Sequence, residues 1–420
     1  MDRSPDPSPP PILFRGRRLT AAKQFREGTH RTCPPEETLE RILPAVRASG
    51  TTRLANVTGL DRIGFPVVLS IRPNSATLAA DAGKGFTLVA AKVSAAMEAL
   101  ERATAETAEL PTFRASCAEL AGVHPHVPFA AIPRLKHSPF HERWPIEWAW
   151  GWDLLSQAEV AAPADLVPLP GQMRELDRGL LQQGSNGLTS GNHFLEALAA
   201  GLLEVIERDA VTCHKVATQL AGRSIPKVRL ETIELPMVRR FLALLVRADV
   251  QPVVLDCTSD VGVPVYMVDL YDRSLPHGGV FRGYGAHLDP EIALLRALTE
   301  AAQSRLVYIA GSRDDLCKDD FAALQREDRE DLARGRLAMP ATVDARQTPC
   351  LATDTFEGDV AILLDRLRRA GLGQVIVFDL TPPELPVAVL RVIVPGLEGY
   401  MFDFYAPGPR ARAFVREVTA

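Results

Sequence analysis

The chain has 420 residues, 46% hydrophobic and 24% charged, the composition of a soluble globular protein with two or three layers or one interwoven domain. A formal net charge of −5 gives no drive toward nucleic acid or an anionic membrane surface, and no apolar run approaches the ~20 residues that span a bilayer. Six scattered cysteines without a Cys-x-x-Cys pair read as reduced, buried thiols of a cytoplasmic protein rather than a disulfide framework or zinc site.

The chain opens on "MDRSPDPSPPPILF", with no apolar signal core and five prolines in eleven residues. Residues 1–15 are expected to form a disordered tail, and 16–420 one catalytic domain with a subdivision near 150–180. Three stretches then repeat one pattern: a β-branched run, a threonine, an acidic residue, and a Pro-Val opening a second run. They are "RLANVTGLDRIGFPVVLSIRP" with Thr58, Asp61 and Pro66, "VVLDCTSDVGVPVYMVDLYD" with Thr258, Asp260 and Pro264, and "VIVFDLTPPELPVAVLRVIVPG" with Thr381, Glu384 and Pro386. Turn formers between β-rich runs predict antiparallel hairpins, and proline opens a strand where its missing N–H costs least. Structural repetition is expected, although shared turn chemistry alone would produce the same letters.

Three Gly-rich approaches lead into long helices: "GKGFTLVAAKVSAAMEALERATAE" from Gly83, "GSNGLTSGNHFLEALAAGLLEVIERDA" from Gly184 and "GYGAHLDPEIALLRALTEAAQSR" from Gly283. None carries a Walker phosphate loop or the spacing of a dinucleotide fingerprint. The third helix should start at Asp289-Pro290-Glu291, an N-cap followed by proline at the first helical position. "RWPIEWAWGW" holds all four tryptophans and fits a strand edge or packed joint. Cys213 beside His214 reads as structural, because adjacent helical residues point about 100° apart. "DDFAALQREDREDLARGRL" (319–337) reads as a solvated helix and "GDVAILLDRLRRAG" (358–371) as an amphipathic one. Hairpins mixed with long helices predict an α+β fold.

Carboxylates mark the three helices. Ser94, Glu98 and Glu101 fall within about 60° of one another on the first, and Glu196, Glu204 and Glu207 within about 80° on the second. The third presents Glu300 and Gln303, with Arg296 and Arg305 nearby. One such pair would read as a solvated face. On helices otherwise rich in Ala, Leu and Val, clustered glutamates instead call for cations. An oxygen-only set suits Mg²⁺, which keeps positions for phosphate oxygens, and Arg102, Arg208 and Arg305 are candidates to clamp phosphates or orient the glutamates.

Together these helical segments resemble the YcaO family of ATP-dependent enzymes. The likeness begins near Lys23 in "KQFREGTHRTCPPEETLERILP" and runs to "VLRVIVPGLEGY" near residue 400. It implies a YcaO-type α+β fold, with repeated hairpins packed on long helices around a central nucleotide site. It also implies ATP and Mg²⁺, O-phosphorylation of a peptide backbone amide, and a homodimer. The family's metal and phosphate glutamates fall on Glu98, Glu101, Glu204 and Glu207; its Asn and Glu of the Gly-rich approach fall on Asn192 and Glu196. Lys23 is a candidate phosphate ligand, Ser94, Arg102 and Arg208 belong with the nucleotide, and Glu300, Gln303 and Arg305 match the third, catalytic motif.

Azoline-forming members commonly have an E1-like docking partner and a proline-rich P-x-P-x-P C-terminus, and this chain ends "YAPGPRARAFVREVTA". The opening "EGTHRTCPPEETLERILPAVRASGTTRLANVTGLDRIGFPV" looks like the TfuA-associated branch. The resemblance therefore points to thioamidation of a precursor peptide or protein, with a sulfur donor and a TfuA-like partner. Azoline closure on Cys, Ser or Thr is the alternative within the family, an amidine-type modification a third. A scaffold that binds ATP or a leader peptide without catalysis is the alternative outside it.

Overall fold

The computed structural model describes residues 11–169, 180–272, 279–315, 318–319, 334–399 and 405–419. Ile12–Phe14 (β1) pairs antiparallel with Arg17–Leu19 (β2) around Arg15 and Gly16, both at positive φ. Residues 11–15 of the expected 1–15 tail thus belong to the fold, because Ile12 is buried in the largest core cluster. Residues 1–10 lie outside the described residues, as do 320–333 of the segment read as a solvated helix. Helix α1 (Pro35–Ala48) follows, seating Ile42 and Val46 against the next helix.

Three hairpins then share one local device. Where β3 (Arg53–Asn56) ends, Thr58 N–H donates to Asn56 Oδ1 at 3.1 Å, and Val67 N–H donates to Thr58 Oγ1 at 3.2 Å to open β4 (Val67–Ile71). Between β11 (Val250–Asp256) and β12 (Val265–Asp272), Thr258 donates to Asp256 at 2.9 Å and Val265 to Thr258 at 3.3 Å. Between β15 (Ile376–Asp379) and β16 (Ala388–Ile393), Thr381 donates to Asp379 at 3.1 Å and Val389 to Thr381 at 2.9 Å. An Asx turn and a threonine acceptor thus close each connection. The pattern in the sequence points to Asp61, Asp260 and Glu384 as the repeated acids, whereas the turn is made by Asn56, Asp256 and Asp379. Asp61 and Asp260 pair instead with Arg305 and Arg410.

Each hairpin gains a third antiparallel strand on its second member. These are β5 (Ala80–Lys84) on β4, β13 (Val280–Ala286) on β12, and β9 (Leu188–Gly191) on β16. Each third strand leads directly into a long helix: α2 (Leu88–Thr107), α6 (Pro290–Ala310) and α4 (Phe194–Ala221). The third unit is assembled from distant parts, since β9 and α4 precede their hairpin in the chain. Caps start all three helices. Thr87 accepts from Ala90 N–H, His193 from Leu195 N–H, and Asp289 from Glu291 N–H with Pro290 in the first turn, as expected for the last.

The β3-β4-β5 sheet stands alone, and the other two are extended. The second sheet adds β10 (Lys227–Val228) beside β11 and β14 (Ala341–Val343) parallel to β10. The third adds β7 (Ile146–Asp153) beside β15, β6 (Thr112–Ala115) on its edge, and β8 (Ala158–Pro163) paired to β7. Strand pairing of 112–163 with 376–393 therefore ties together the parts on either side of the expected subdivision near 150–180. The tryptophans belong to this sheet: Trp148 is buried and donates its indole N–H to Ala115 O, and Trp150 stacks on Phe113. One-turn α3 (Cys117–Leu120) and α5 (Pro236–Arg247) cover sheet faces. Helix α7 (Phe356–Arg369) lays Phe356, Val360, Leu363 and Leu367 on the core, as its amphipathic pattern predicts.

Helix α4 packs between the second and third sheets, with Leu195, Leu198, Leu202 and Ile206 sharing a core with Val253, Leu255, Val377 and Val392. Burial on most sides explains its apolar composition. A last helix, α8 (Pro409–Thr419), packs on its far end, where Arg410 Nε reaches both oxygens of Asp209 at 2.9 Å. Cys213 lies in that junction, and burial pushes its thiol far up, which fits the structural role expected of it. Among the described cysteines, Cys33, Cys117, Cys213 and Cys257 are buried and free, whereas Cys350 is exposed.

Candidate active site

The three strand–helix units meet around a cavity of about 1150 Å³. Their close approach is set by glycine. A Cβ on Gly83 would lie 1.9 Å from Ala95 N, one on Gly191 2.5 Å from Ala197 N, and one on Gly283 2.2 Å from Ala297 O. The strands therefore lie directly on the helix backbones, and any side chain there would push the helix away. On α2 the small residues Ala91, Ala95, Ala96 and Ala99 are fully buried. That turns Ser94, Glu98 and Glu101 to the cavity, where Val93 and Met97 accompany them. Helix α4 contributes Glu196, Glu204 and Arg208, the turn before it Asn192, and α6 Arg296, Glu300 and Gln303.

Burial controls the charge state of this wall. Glu101 is held well above the usual carboxylate range by desolvation and by Glu98 and Glu204. Glu204 is pushed up to about 7 by burial with Glu207 and Glu98 adding, while Arg208 opposes. Glu207 is raised by burial, with Glu300 adding to it and Arg208 and Arg296 opposing. Burial raises these glutamates even where Arg208 and Arg296 oppose it, and a bound cation would favour their ionised forms. Among the described residues, no three cavity glutamates bring their oxygens within 4.8 Å of one another. Such spacing suits Mg²⁺ held by one or two carboxylates at a time, with phosphate and water completing its shell.

Glu196 is differently placed. Its Oε2 accepts from Thr32 N–H at 2.8 Å and from the Thr32 hydroxyl at 2.9 Å, and its Oε1 accepts from both nitrogens of Asn192 at 3.3 Å. Asn192 Oδ1 in turn accepts from Thr38 and Arg41. These bonds fasten the loop before α1 to the start of α4 and bring Arg31 to the cavity, 3.7 Å from Glu196.

Four expected site residues sit elsewhere or behind the wall. Lys23 does not line the cavity; it is buried, with its ammonium 2.5 Å from Asp359 Oδ2 and 2.7 Å from Thr353 O. Asp359 also forms, with His30 and His287, the one group among the described residues whose ligand atoms come within 4.8 Å of one another. Arg305, expected in the third motif, is 3% exposed. Its Nε lies 3.0 Å from both oxygens of Asp61, and Nη1 2.7 Å from Asp272. Helical geometry turns it away from Glu300, five residues earlier, whereas Arg296, four residues before Glu300, shares that face. Arg102 is likewise committed, to Asp81 at 3.1 Å and Thr77 at 2.8 Å. Glu207 is buried just behind the cavity, accepting from Ala286 N–H at 3.1 Å.

Arg296, named beside the third helix's pair, lines the cavity; three further cavity groups, Asp81, Lys84 and Arg31, carry no mark in the sequence motifs. Asp81 is pushed up to about 7 by burial, Glu98 adding and Arg102 opposing. Strand alternation around Gly83 and Gly85 is the signal that points to Lys84.

A family model for the ATP- and Mg²⁺-binding YcaO cyclodehydratases matches residues 82–398, which include all three acidic helices. The chain belongs to the YcaO family. A YcaO protein from Methanopyrus kandleri, solved with AMPPCP and Mg²⁺, superposes with a TM-score of 0.71 at 28% identity, covering 93% of this chain and 98% of that one. A heterocyclase solved with substrate and cofactor superposes with a TM-score of 0.76 at 24% identity, a likeness of fold. It covers 96% of this chain, which spans 56% of that one. An uncharacterized protein encoded in the tfuA 3′ region of Rhizobium leguminosarum bv. trifolii is 36% identical over 386 residues, 88% of either chain. The α+β architecture is thus that of the YcaO fold, and its buried, oxygen-only carboxylates fit Mg²⁺ carried in with a nucleotide.

Proposed function

We propose that this YcaO chain uses MgATP to phosphorylate the oxygen of a peptide backbone amide, and that its product is a thioamide made beside a TfuA-like partner. The observation that carries the activation step is the convergence of carboxylates from α2, α4 and α6, with Arg31, Arg208 and Arg296, on one cavity. The TfuA pairing is supported by the relative encoded in a tfuA 3′ region.

Glu98, Glu101 and Glu204 would offer carboxylates, one or two to an ion, for Mg²⁺ that neutralises phosphate charge, with Glu196 and Glu300 alongside. Arg31, Arg208 and Arg296 hold phosphate oxygens by charge-assisted hydrogen bonds. An amide oxygen is a poor leaving group, and the chemistry must change that. A sulfur nucleophile adds to the carbonyl carbon, and the resulting oxyanion attacks the γ-phosphorus as the β–γ bond breaks toward ADP. Phosphate then leaves with the former amide oxygen, the S–H proton passes to solvent, and C=S forms. Buried, preorganised charges are most effective when aimed at a phosphoryl group in transfer, the role this reading gives the cavity's arginines and glutamates.

The test combines the purified protein with MgATP, sulfide, a TfuA-like protein and candidate peptides, followed by mass spectrometry and phosphate release. The expected result is oxygen-to-sulfur exchange with one ADP and one phosphate per event. Loss of water from the peptide would assign azoline closure instead. Peptide binding with no ATP cleavage under any combination would reduce the chain to a scaffold.

A further inference from the structure

We propose that Lys84 is a catalytic residue of the phosphoryl transfer, placing its ammonium on the phosphate as it moves to the amide oxygen; this rests on the activation chemistry proposed above. Lys84 is the one lysine among the described residues that line the cavity. Its direction is enforced by its neighbours. Gly83 and Gly85 face α2 so closely that a Cβ on either would lie within 2.6 Å of a helix atom. Strand alternation then sends the Lys84 side chain to the opposite face, across the cavity toward α6.

There it is received by Gln303. The Gln303 amide N–H donates to Ala82 O at 2.5 Å while its Oε1 accepts from Lys84 Nζ at 2.8 Å. One side chain thus ties the lysine to the strand it comes from, so Gln303 is a positioning residue. Around the ammonium stand Glu300 of α6, Glu207 of α4 and Glu98 of α2, with Arg296 as the nearby like charge. The lysine therefore sits where the charges of all three helices converge, among the groups assigned to MgATP. The chain has no phosphate loop, whose lysine ordinarily reaches the β- and γ-phosphates as a point charge. Lys84 provides that charge from a strand. In the step it serves, the oxyanion–phosphorus bond forms, the γ-phosphorus–oxygen bond breaks, and the electron pair stays on ADP. Lys84 keeps its proton throughout and offsets the charge spread over the transferring group.

A lysine that only neutralised the glutamates would behave differently. Lys84→Met and Lys84→Arg are compared with wild type for turnover, for MgAMPPCP affinity by calorimetry, and for the ³¹P resonance of the bound γ-phosphonate. The catalytic role predicts that Lys84→Met lowers kcat ~10²–10³-fold, the effect of losing one preorganised charge-stabilising group. Nucleotide affinity should change far less, the ³¹P resonance should shift, and Lys84→Arg should recover part of the rate. Gln303→Leu should lower kcat less, with peptide KM unchanged and the same ³¹P shift in smaller measure. Wild-type kcat in Lys84→Met, or a loss confined to KM for ATP, would overturn the assignment alone. A wild-type protein that cleaves no ATP with any peptide would instead overturn the activation chemistry and this assignment with it.

Discussion

Replacing Arg305 by methionine tests whether this arginine belongs to the chemistry or to the frame. Its guanidinium joins two carboxylates from different segments: Asp61, between β3 and β4, and Asp272, at the end of β12. All three side chains are at most 4% exposed. Arg62 also pairs with Asp272, but Asp61 would lose its guanidinium altogether. Breaking a buried pair from one side leaves an uncompensated charge and costs about 3–5 kcal/mol. The expected result is an unfolding free energy lowered by that amount in Arg305→Met and a fall of several degrees in melting temperature. Arg305→Lys should recover little, since an ammonium cannot span two carboxylates as a planar fork does. Equilibrium urea unfolding gives the free energy, and calorimetry gives MgAMPPCP affinity at a temperature where both proteins are folded. Nucleotide affinity should match wild type there. A variant with wild-type stability and turnover reduced more than about tenfold, one barrier increment of 1.4 kcal/mol, would return Arg305 to the active site and refute the structural reading.

Glu204→Gln addresses the electrostatics of the cavity. The Glu204 carboxyl lies at about 7 in the folded chain against 4.5 as the reference. The native state therefore holds more protons than the unfolded one between those values, and stability falls as pH rises through that window. Buried His30, lowered to about 4, has the opposite sign, so stability is gained as pH rises toward 6.5. The difference between wild type and variant isolates Glu204. Without nucleotide, Glu204→Gln should be the more stable protein at pH 8, by up to roughly 3 kcal/mol. It should also lose much of the melting-temperature gain that MgATP gives wild type; equal melting curves at pH 5 and 8 in both proteins would refute this. Gly283→Ala should cost at least 1–3 kcal/mol by overpacking, read by thermal melting, because the added Cβ has helix backbone on two sides. Thr58→Val, Thr258→Val and Thr381→Val each remove one acceptor from a strand-opening N–H. Each should cost about 1 kcal/mol in urea unfolding, and the triple variant close to the sum, because the turns share no partners. Unequal costs, with one site near zero, would refute the equivalence of the three turns.

Much of the architecture was legible before folding was considered. β-Branched runs around Thr58, Thr258 and Thr381 announced three hairpins, and each forms. The N-cap at Asp289 with Pro290 behind it marked the start of α6 correctly. The acids of the hairpin pattern were misassigned because spacing along a chain does not reveal hydrogen-bond direction. Asn56, Asp256 and Asp379 act on a backbone N–H two residues away, whereas Asp61 reaches an arginine on α6. The acidic stripe of α2 was visible as periodicity, and its cavity position follows from the alanines on the other face. Arg305, expected to clamp phosphates or orient the glutamates, and Lys23, a candidate phosphate ligand implied by the resemblance, are both held by buried carboxylates in the fold. Their partners Asp61, Asp272 and Asp359 come from elements far along the chain, and only packing brings them together.

By itself the sequence determined the elements and the chemistry type: three glycine-led helices carrying carboxylates, a metal-suited oxygen set without zinc ligands, and membership of a nucleotide-dependent family. The elements and the carboxylate stripes follow from local rules, since periodicity, caps and turn chemistry act within a few residues, whereas the family follows from the resemblance of whole segments. Tertiary structure decided which charges share a cavity. It set α4 between two sheets, completed the third hairpin unit from segments nearly 200 residues apart, and sent Arg305 inward while turning Lys84 to the nucleotide wall. Burial and long-range pairing set those outcomes, because a charge removed from water must be met by whatever the fold brings to it.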